Sequence, residues 1–124
     1  MEDLIRKFAN EIYSELGTGY SERVYHNAFE VLLRKNGINY ETERIIPINF
    51  MGHTIGNLRA DLIIDNDTIV ELKSVKNIGA SMTTQVNNYM KLTGLKKGIL
   101  INFGGPAGGN CEFEVCDKSS ETIE

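Results

Sequence analysis

Two short apolar runs carry charges that a buried strand ordinarily excludes. Arg59 and Asp61 lead into Leu62-Ile63-Ile64, and Glu71 and Lys73 interrupt the run Ile69-Val70-Glu71-Leu72-Lys73. In an extended segment alternate residues share a face, so Glu71 and Lys73 project together while Val70 and Leu72 face the other way. Asp61 on a neighbouring strand would complete a set of two carboxylates and an amine. Such a set can hold a hard divalent cation, Mg²⁺ or Mn²⁺, and a reactive water beside a phosphodiester, because carboxylates suit hard cations and a lysine can orient or deprotonate water. The expected chemistry is metal-dependent phosphodiester hydrolysis.

The elements that must position these groups can be read from periodicity. Leu4, Phe8, Ile12 and Leu16, with Ile5, Ala9 and Tyr13 alongside, form one helical stripe that Gly17 stops. A second helix is expected from Ser21, whose side chain can cap its first amides, to Gly37, burying Val24, Tyr25, Ala28, Phe29, Leu32 and Leu33. The two helices should form an antiparallel or angled pair. From Ile38 to Phe50 the pattern is extended. Pro47 cannot donate to a ladder, so this strand belongs at an edge or its proline at a bulge. Met51-Gly52-His53 reads as a hairpin turn into residues 54–64, and Asp65-Asn66-Asp67 turns into the strand bearing Glu71. Residues 80–93 read as a helix with Met82, Val86, Tyr89, Met90 and Leu92 apolar, closed by Gly94. Ile99-Leu100-Ile101 is a buried strand, a glycine-rich loop spans 104–109, and a last strand lies around Glu112–Cys116. The order is ααβββαββ, an α/β sandwich of a mixed sheet with helices against it.

At 124 residues and 41% hydrophobic content the chain suits one core. The expectation is a single domain over 1–118 with a frayed tail at 119–124. Charged residues in the first helix exclude a signal-peptide pattern, and no apolar run approaches membrane-spanning length. An intracellular, cytoplasmic protein is expected, nuclear if eukaryotic. Cys111 and Cys116 lie an odd five residues apart, which on one strand sets them on opposite faces and disfavours a disulfide. His26 and His53 have no zinc-ligand spacing and are assigned no catalytic role. The segment 104–109 lacks the Lys-Ser/Thr of a nucleotide-binding loop.

This order of elements, with Asp61 and Glu71-Leu72-Lys73 on adjacent strands before a helix, resembles the PD-(D/E)XK nuclease superfamily, the restriction-endonuclease-like fold with an αβββαβ core, here preceded by an extra N-terminal helix. Gly19-Tyr20-Ser21-Glu22-Arg23-Val24-Tyr25 is similar to the signature of the GxxExxY family. Gly52, Gly56, Arg59 and Asp61, and later Gly98-Ile99-Leu100-Ile101-Asn102-Phe103-Gly104, resemble the same family. The likeness covers roughly residues 4–117. Ala60 stands where the superfamily pattern has proline, a conformational rather than a chemical departure. Gln85-Val86-Asn87-Asn88-Tyr89 resembles the QxxxY element of RecB-like branches, and residues four apart share a helix face.

The resemblance implies roles. Asp61 and Glu71, with the backbone carbonyl of Leu72, would be the central ligands of Mg²⁺ or Mn²⁺, which keeps several waters and needs few protein groups. Glu22 would be a further metal or water ligand, although a carboxylate at a helix start is favoured by the dipole in any case. Lys73 would position or deprotonate the attacking water and offset charge growing on the phosphate. Gln85 could hydrogen-bond that water or the scissile phosphate. Tyr89 and Arg59 are candidates for substrate contact. Tyr89 otherwise serves structure, and Arg59, read as sharing a strand face with Asp61, otherwise serves a local ion pair. Tyr25 is read as core packing that orients Glu22.

The formal charge is −4, yet five acids and one base fall within residues 111–124, leaving 12 acids and 12 bases over the other 110 residues. With Glu22, Asp61 and Glu71 committed to a cation, the remainder is mildly basic. A phosphate-binding patch and a scattered solvated surface are both open for Arg23, Arg34, Lys35, Arg59, Lys76, Lys91, Lys96 and Lys97. The expected activity is a metal-dependent nuclease acting on nucleic acid, DNA more than RNA. The alternative is a catalytically silent or partner-dependent nucleic-acid-binding module of the same fold. A protein partner or a homodimer would supply grip on the substrate that a small chain lacks.

Overall fold

The computed structural model describes residues 1–105 and 111–119. The glycine-rich loop beyond Gly105 and the tail beyond Ser119 lie outside the described residues. In chain order the elements are α1 (Glu2–Leu16), α2 (Glu22–Lys35), β1 (Tyr40–Phe50), β2 (His53–Ile64), β3 (Thr68–Lys73), α3 (Ala80–Thr93), β4 (Lys97–Asn102) and β5 (Glu112–Asp117). The strands form one sheet in the order β1-β2-β3-β4-β5. Only β3 and β4 run parallel, joined through α3, and the other pairs are antiparallel.

The sheet is covered on both faces. Ile5, Phe8 and Ile12 of α1 and Tyr25, Phe29 and Leu33 of α2 pack with Leu62, Val70, Leu72, Ile99 and Ile101 on one side. Phe8 meets Phe29 edge to face at 6.1 Å. On the other side Val86, Tyr89 and Met90 of α3 pack with Ile63, Ile69 and Leu100. β3 and β4 are therefore buried on both faces, which explains their continuous apolar runs. A Cβ on Gly98 would lie 2.5 Å from Val86 Cγ1, so a glycine on β4 lets α3 approach.

The turns follow their residue chemistry. Met51 and Gly52 both have positive φ, 50° and 82°, as a two-residue type I′ hairpin requires. Asp65 and Asn66 also sit at positive φ, 54° and 52°, a conformation Asn and Asp tolerate. Pro47 meets the first of the two alternatives read from the sequence: β1 is an edge strand, and Pro47 pairs in register with Asn57, the register shift falling further on, between Ile48 and Asn49. Cys111 and Cys116 are free and pack on opposite sides of the sheet.

Three local expectations need correction. Ser21 occupies the N-cap of α2, but its side chain makes no capping bond; its backbone carbonyl accepts from Val24 N at 3.1 Å instead. Val24 is exposed rather than buried, because α2 turns Tyr25 and His26 inward. Leu92 is exposed on α3, whose inward stripe is Val86, Tyr89 and Met90.

Candidate active site

The β2–β3 backbone ladder ends at the pair Leu62 and Val70. The next pair across the seam is Asp61 and Glu71, and here side chains replace the ladder. Leu72 N donates to Asp61 Oδ2 at 2.9 Å, and Asp61 N donates to Glu71 Oε1 at 3.0 Å. Each carboxyl thus satisfies an amide that parted strands would leave orphaned, and each is pinned in place. The second oxygen of each carboxyl stands outside these backbone bonds.

Asp61 also sits at a break in strand alternation. Ala60 packs on the α3 side and Leu62, two residues on, on the α1/α2 side. Opposite the break, Glu43 of β1 adopts φ 54°. The side-chain order of β2 therefore reverses through Asp61, and the shared face read for Arg59 and Asp61 from simple alternation does not follow. Asp61 lines a small pocket of about 150 Å³ together with Glu22, Arg23 and His26 of α2.

Glu71 is 3% exposed. Burial, and then the negative charge of Asp61 beside it, push its carboxyl up to about 9, with nearby Lys73 opposing the shift. Among the described residues neither Asp61 nor Glu71 forms an ion pair. Two adjacent carboxyls without an ion-pair partner among the described residues disfavour each other's charge. A divalent cation would relieve both, and hard oxygen donors fit Mg²⁺ or Mn²⁺. Among the described residues no three His, Cys, Asp or Glu side chains gather into a ready set of ligands. Glu22 shares the pocket with Asp61 but is not drawn into one cluster with Asp61 and Glu71.

Lys73 ends β3, half-buried and paired in register with Asn102 of β4. Tyr89 is buried, and its hydroxyl donates to the Arg59 carbonyl at 2.8 Å. Burial, followed by the charges of Glu71 and Asp61, holds its phenol well above the ordinary range, so it stays a donor. Arg59 is exposed and, among the described residues, makes no ion pair; the local pairing read as its alternative role is absent. Gln85 lies one turn before Tyr89 and lines a different pocket with Ser81, Met82, Thr84 and Asn88. Among the described residues it makes no hydrogen bond to the carboxylates. Leu72 is buried, tied to Asp61 through its N–H.

Tyr25 is wholly buried, stacked on Phe103 at 4.2 Å between ring centroids. Its hydroxyl donates to the Gly17 carbonyl at 2.7 Å and accepts from Tyr20 N at 3.3 Å, fixing the turn that delivers Glu22. Ser74 Oγ donates to the Tyr20 carbonyl at 3.0 Å, joining this turn to the end of β3.

Asn102 and Gly104, read from the sequence only as part of a family-like run, have structural roles. Asn102 is fully buried, accepts from Val75 N at 2.9 Å and Gly104 N at 3.0 Å, and donates to the Val75 carbonyl at 2.8 Å and Glu112 Oε1 at 2.9 Å. It clamps the segment that leaves Lys73. A Cβ on Gly104 would lie 2.7 to 2.8 Å from backbone atoms of Ser74 and Val75. The signals for Asn102 in the sequence are its place in an apolar run and in the family-like stretch Gly98–Gly104. His26 is buried, its Nε2 lying 2.8 Å from Thr42 Oγ1 and 2.9 Å from Glu30 Oε2.

A mixed sheet between helices, with paired carboxyls at a strand seam and a lysine two residues on, defines a restriction-endonuclease-like α/β fold. Residues 1–111 match the family model of the PD-(D/E)XK nuclease superfamily, and the chain belongs to it. Among solved structures the chain is similar to SSO0001, with TM-score 0.60 and 26% identity over 77% of this chain and 50% of that one. It thus spans about half the length of the SSO0001 chain. It also resembles LHK-Exo, an alkaline exonuclease from Laribacter hongkongensis, with TM-score 0.52 and 9% identity over 90% of this chain and 76% of that one, a likeness of fold alone. No curated protein matches the chain significantly. Among the described residues no helix is long and apolar enough to cross a membrane.

Proposed function

We propose that this chain is a metal-dependent nuclease of the GxxExxY branch, hydrolysing phosphodiester bonds in DNA. The observation that carries this reading is the Asp61–Glu71 seam: two carboxyls pinned side by side at the cost of Glu71's ordinary acidity, with no ion pair to either among the described residues. Asp61 and Glu71 would hold Mg²⁺ or Mn²⁺, with the Leu72 carbonyl and Glu22 as further oxygen donors. The cation would supply Lewis acidity and make water a nucleophile near neutral pH.

The chain's own groups do the rest. Lys73 orients or deprotonates the attacking water and offsets negative charge as a P–O bond to that water forms and one ester P–O bond breaks. Tyr89 braces the Arg59 backbone beside Asp61, and Arg59 is placed to meet a phosphate. Gln85, which lines a different pocket, would have to be drawn in by substrate or cation to reach the site. Asn102 and Gly104 position Lys73 by clamping the segment that follows it.

The test is incubation of linear and circular, single- and double-stranded DNA, and of RNA, with Mg²⁺ or Mn²⁺, comparing wild type with Glu71→Ala. Metal-dependent DNA cleavage absent in the variant is expected. No cleavage by either removes this reading in favour of a silent or partner-dependent module, and equal cleavage by both takes the chemistry away from Glu71.

A further inference from the structure

The charges of this acidic chain are segregated. From Arg44 to Ala60 and from Leu72 to Cys111 there is no Asp or Glu, and these two stretches carry seven of the 13 Lys and Arg. All 17 acids lie elsewhere, in α1, α2, the start of β1, the Asp61–Glu71 turn and seam, and the C-terminal residues. The fold brings the two acid-free stretches together. Ile46 of β1 and Leu58 of β2 pack against Val86 and Met90 of α3. Arg44, Ile45, Pro47 and Asn49 line a cleft of about 330 Å³ with Leu92 and Thr93 at the end of α3.

The first stretch is an arm. β1 and β2 pair from Tyr40 and Ile64 out to Phe50 and His53, whereas β3 reaches only Leu62–Ile64 of β2. Among the described residues the hairpin therefore has no further strand beside it from Arg59 outward. Its tip is built rather than loose: Thr54 Oγ1 donates to Asn49 Oδ1 at 2.9 Å across the turn. Yet it presents Met51, Ile55, Ile45 and Phe50 at 82, 65, 64 and 61% exposure. A two-stranded ribbon gains little stability from such residues in water, and exposed apolar groups of this size mark a contact surface.

We propose that the β1–β2 arm and the outer face of α3 together form the seat of a nucleic-acid duplex, with the arm lying in a groove and Phe50 and Met51 against the bases. This rests on the nuclease reading for the identity of the polymer. The polyanion is selected by charge. Arg44 and Arg59 flank the arm's root, Lys73 and Lys76 precede α3, Lys91 lies in its last turn, and Lys96 and Lys97 follow it; Arg44 is 3.7 Å from Glu41 and Lys97 pairs in register with Asp117, while the other five cations form no ion pair among the described residues. α3 spans about 20 Å at 1.5 Å per residue, roughly the rise of six base pairs. A two-stranded ribbon fits the major groove, and apolar tips can wedge between base steps. The arm is continuous with the chemistry, because Asp61 lies on β2 two residues beyond Arg59.

The experiment measures binding of a 30-base-pair duplex in EDTA across a salt series, with oligomeric state followed by sedimentation. The chains compared are wild type, Lys91→Ala/Lys96→Ala, Phe50→Ser/Met51→Ser, and Lys7→Ala/Lys35→Ala on the acidic side. The α3 double variant should flatten the log–log salt slope by about 2, since each lost phosphate contact removes about 0.9. The tip variant should weaken binding about tenfold with the slope kept, and the acidic-side variant should bind as wild type. Equal loss in all three, or none, overturns the proposal. A tip variant that only dissociates a dimer makes the arm a protein interface and overturns it too. Hydrolysis of bis(p-nitrophenyl) phosphate by the wild-type chain reports the carboxylate site separately. Duplex binding on this face without that hydrolysis sinks the nuclease reading and spares the face; hydrolysis with unaltered variant binding does the reverse.

Discussion

Replacing Glu71 by glutamine should make the metal-free protein more stable. The amide oxygen still accepts from Asp61 N, as Glu71 Oε1 does at 3.0 Å, while the charge that burial and Asp61 penalise is gone. In the folded chain this carboxyl holds its proton up to about 9, against an ordinary value of 4.5. The folded state therefore binds more protons than the unfolded state between those limits, and wild-type stability declines as pH rises through that window. Glutamine has no proton to lose and escapes the decline. Keeping such a carboxyl protonated at pH 7 costs about 3 kcal/mol, at about 1.4 kcal/mol for each pH unit above its ordinary value. Urea melts in EDTA should show the two proteins nearly equal around pH 4, with the variant ahead by about 2 to 3 kcal/mol at pH 7. Saturating Mn²⁺ should reverse the order, because wild type gains about 4.1 kcal/mol at a thousandfold excess over Kd and the variant gains little. A variant less stable than wild type in EDTA at pH 7, or a difference flat with pH, would show that Glu71 serves the fold and refute the reasoning.

Other outcomes are expected from the same geometry. Asn102→Ala should lose about 2 kcal/mol in a denaturant melt, since it removes the partners of the half-buried Val75 N–H and carbonyl, and should lower kcat beyond what residual folding explains by loosening the segment after Lys73. Gly104→Ala should cost about 2 to 3 kcal/mol by the same melt, because the new methyl meets backbone that cannot rotate away. Lys73→Met should lower cleavage by about a hundredfold or more and leave the thermal midpoint almost unmoved, as this half-buried side chain forms no ion pair among the described residues. Tyr89→Phe should cost about 1 kcal/mol for its bond to the Arg59 carbonyl, read by thermal melting.

The legible parts of this chain were those written at short range. Alternation placed Glu71 and Lys73 on one face, positive-φ residue types marked the turns at Met51-Gly52 and Asp65-Asn66, and apolar periodicity with bounding glycines gave the order ααβββαββ. What escaped depends on groups distant in sequence. Asn102 stands in the family-like run Gly98–Gly104, but its role is not visible until Val75, 27 residues away, supplies its partners, and Ser74 meets Tyr20 across 54 residues. The reversal at Asp61 comes from Glu43 across the hairpin, which no i,i+2 rule on β2 contains. Ser21 had the right type and position for a cap, but the turn held by Tyr25 and Ser74 leaves its hydroxyl uninvolved. The acid-free stretches were visible as letters; only the packing of α3 against the arm makes them one face.

The central claim is that Asp61 and Glu71 form a cation-holding hydrolytic pair. Its most direct test is Mn²⁺ titration followed by electron paramagnetic resonance on wild type, Asp61→Asn and Glu71→Gln, with DNA cleavage assayed in the same solutions. Wild type should bind the ion and cut DNA, and both variants, folded, should lose binding and cutting together. Cleavage that survives in either variant, or ion binding unchanged by both, would contradict the account.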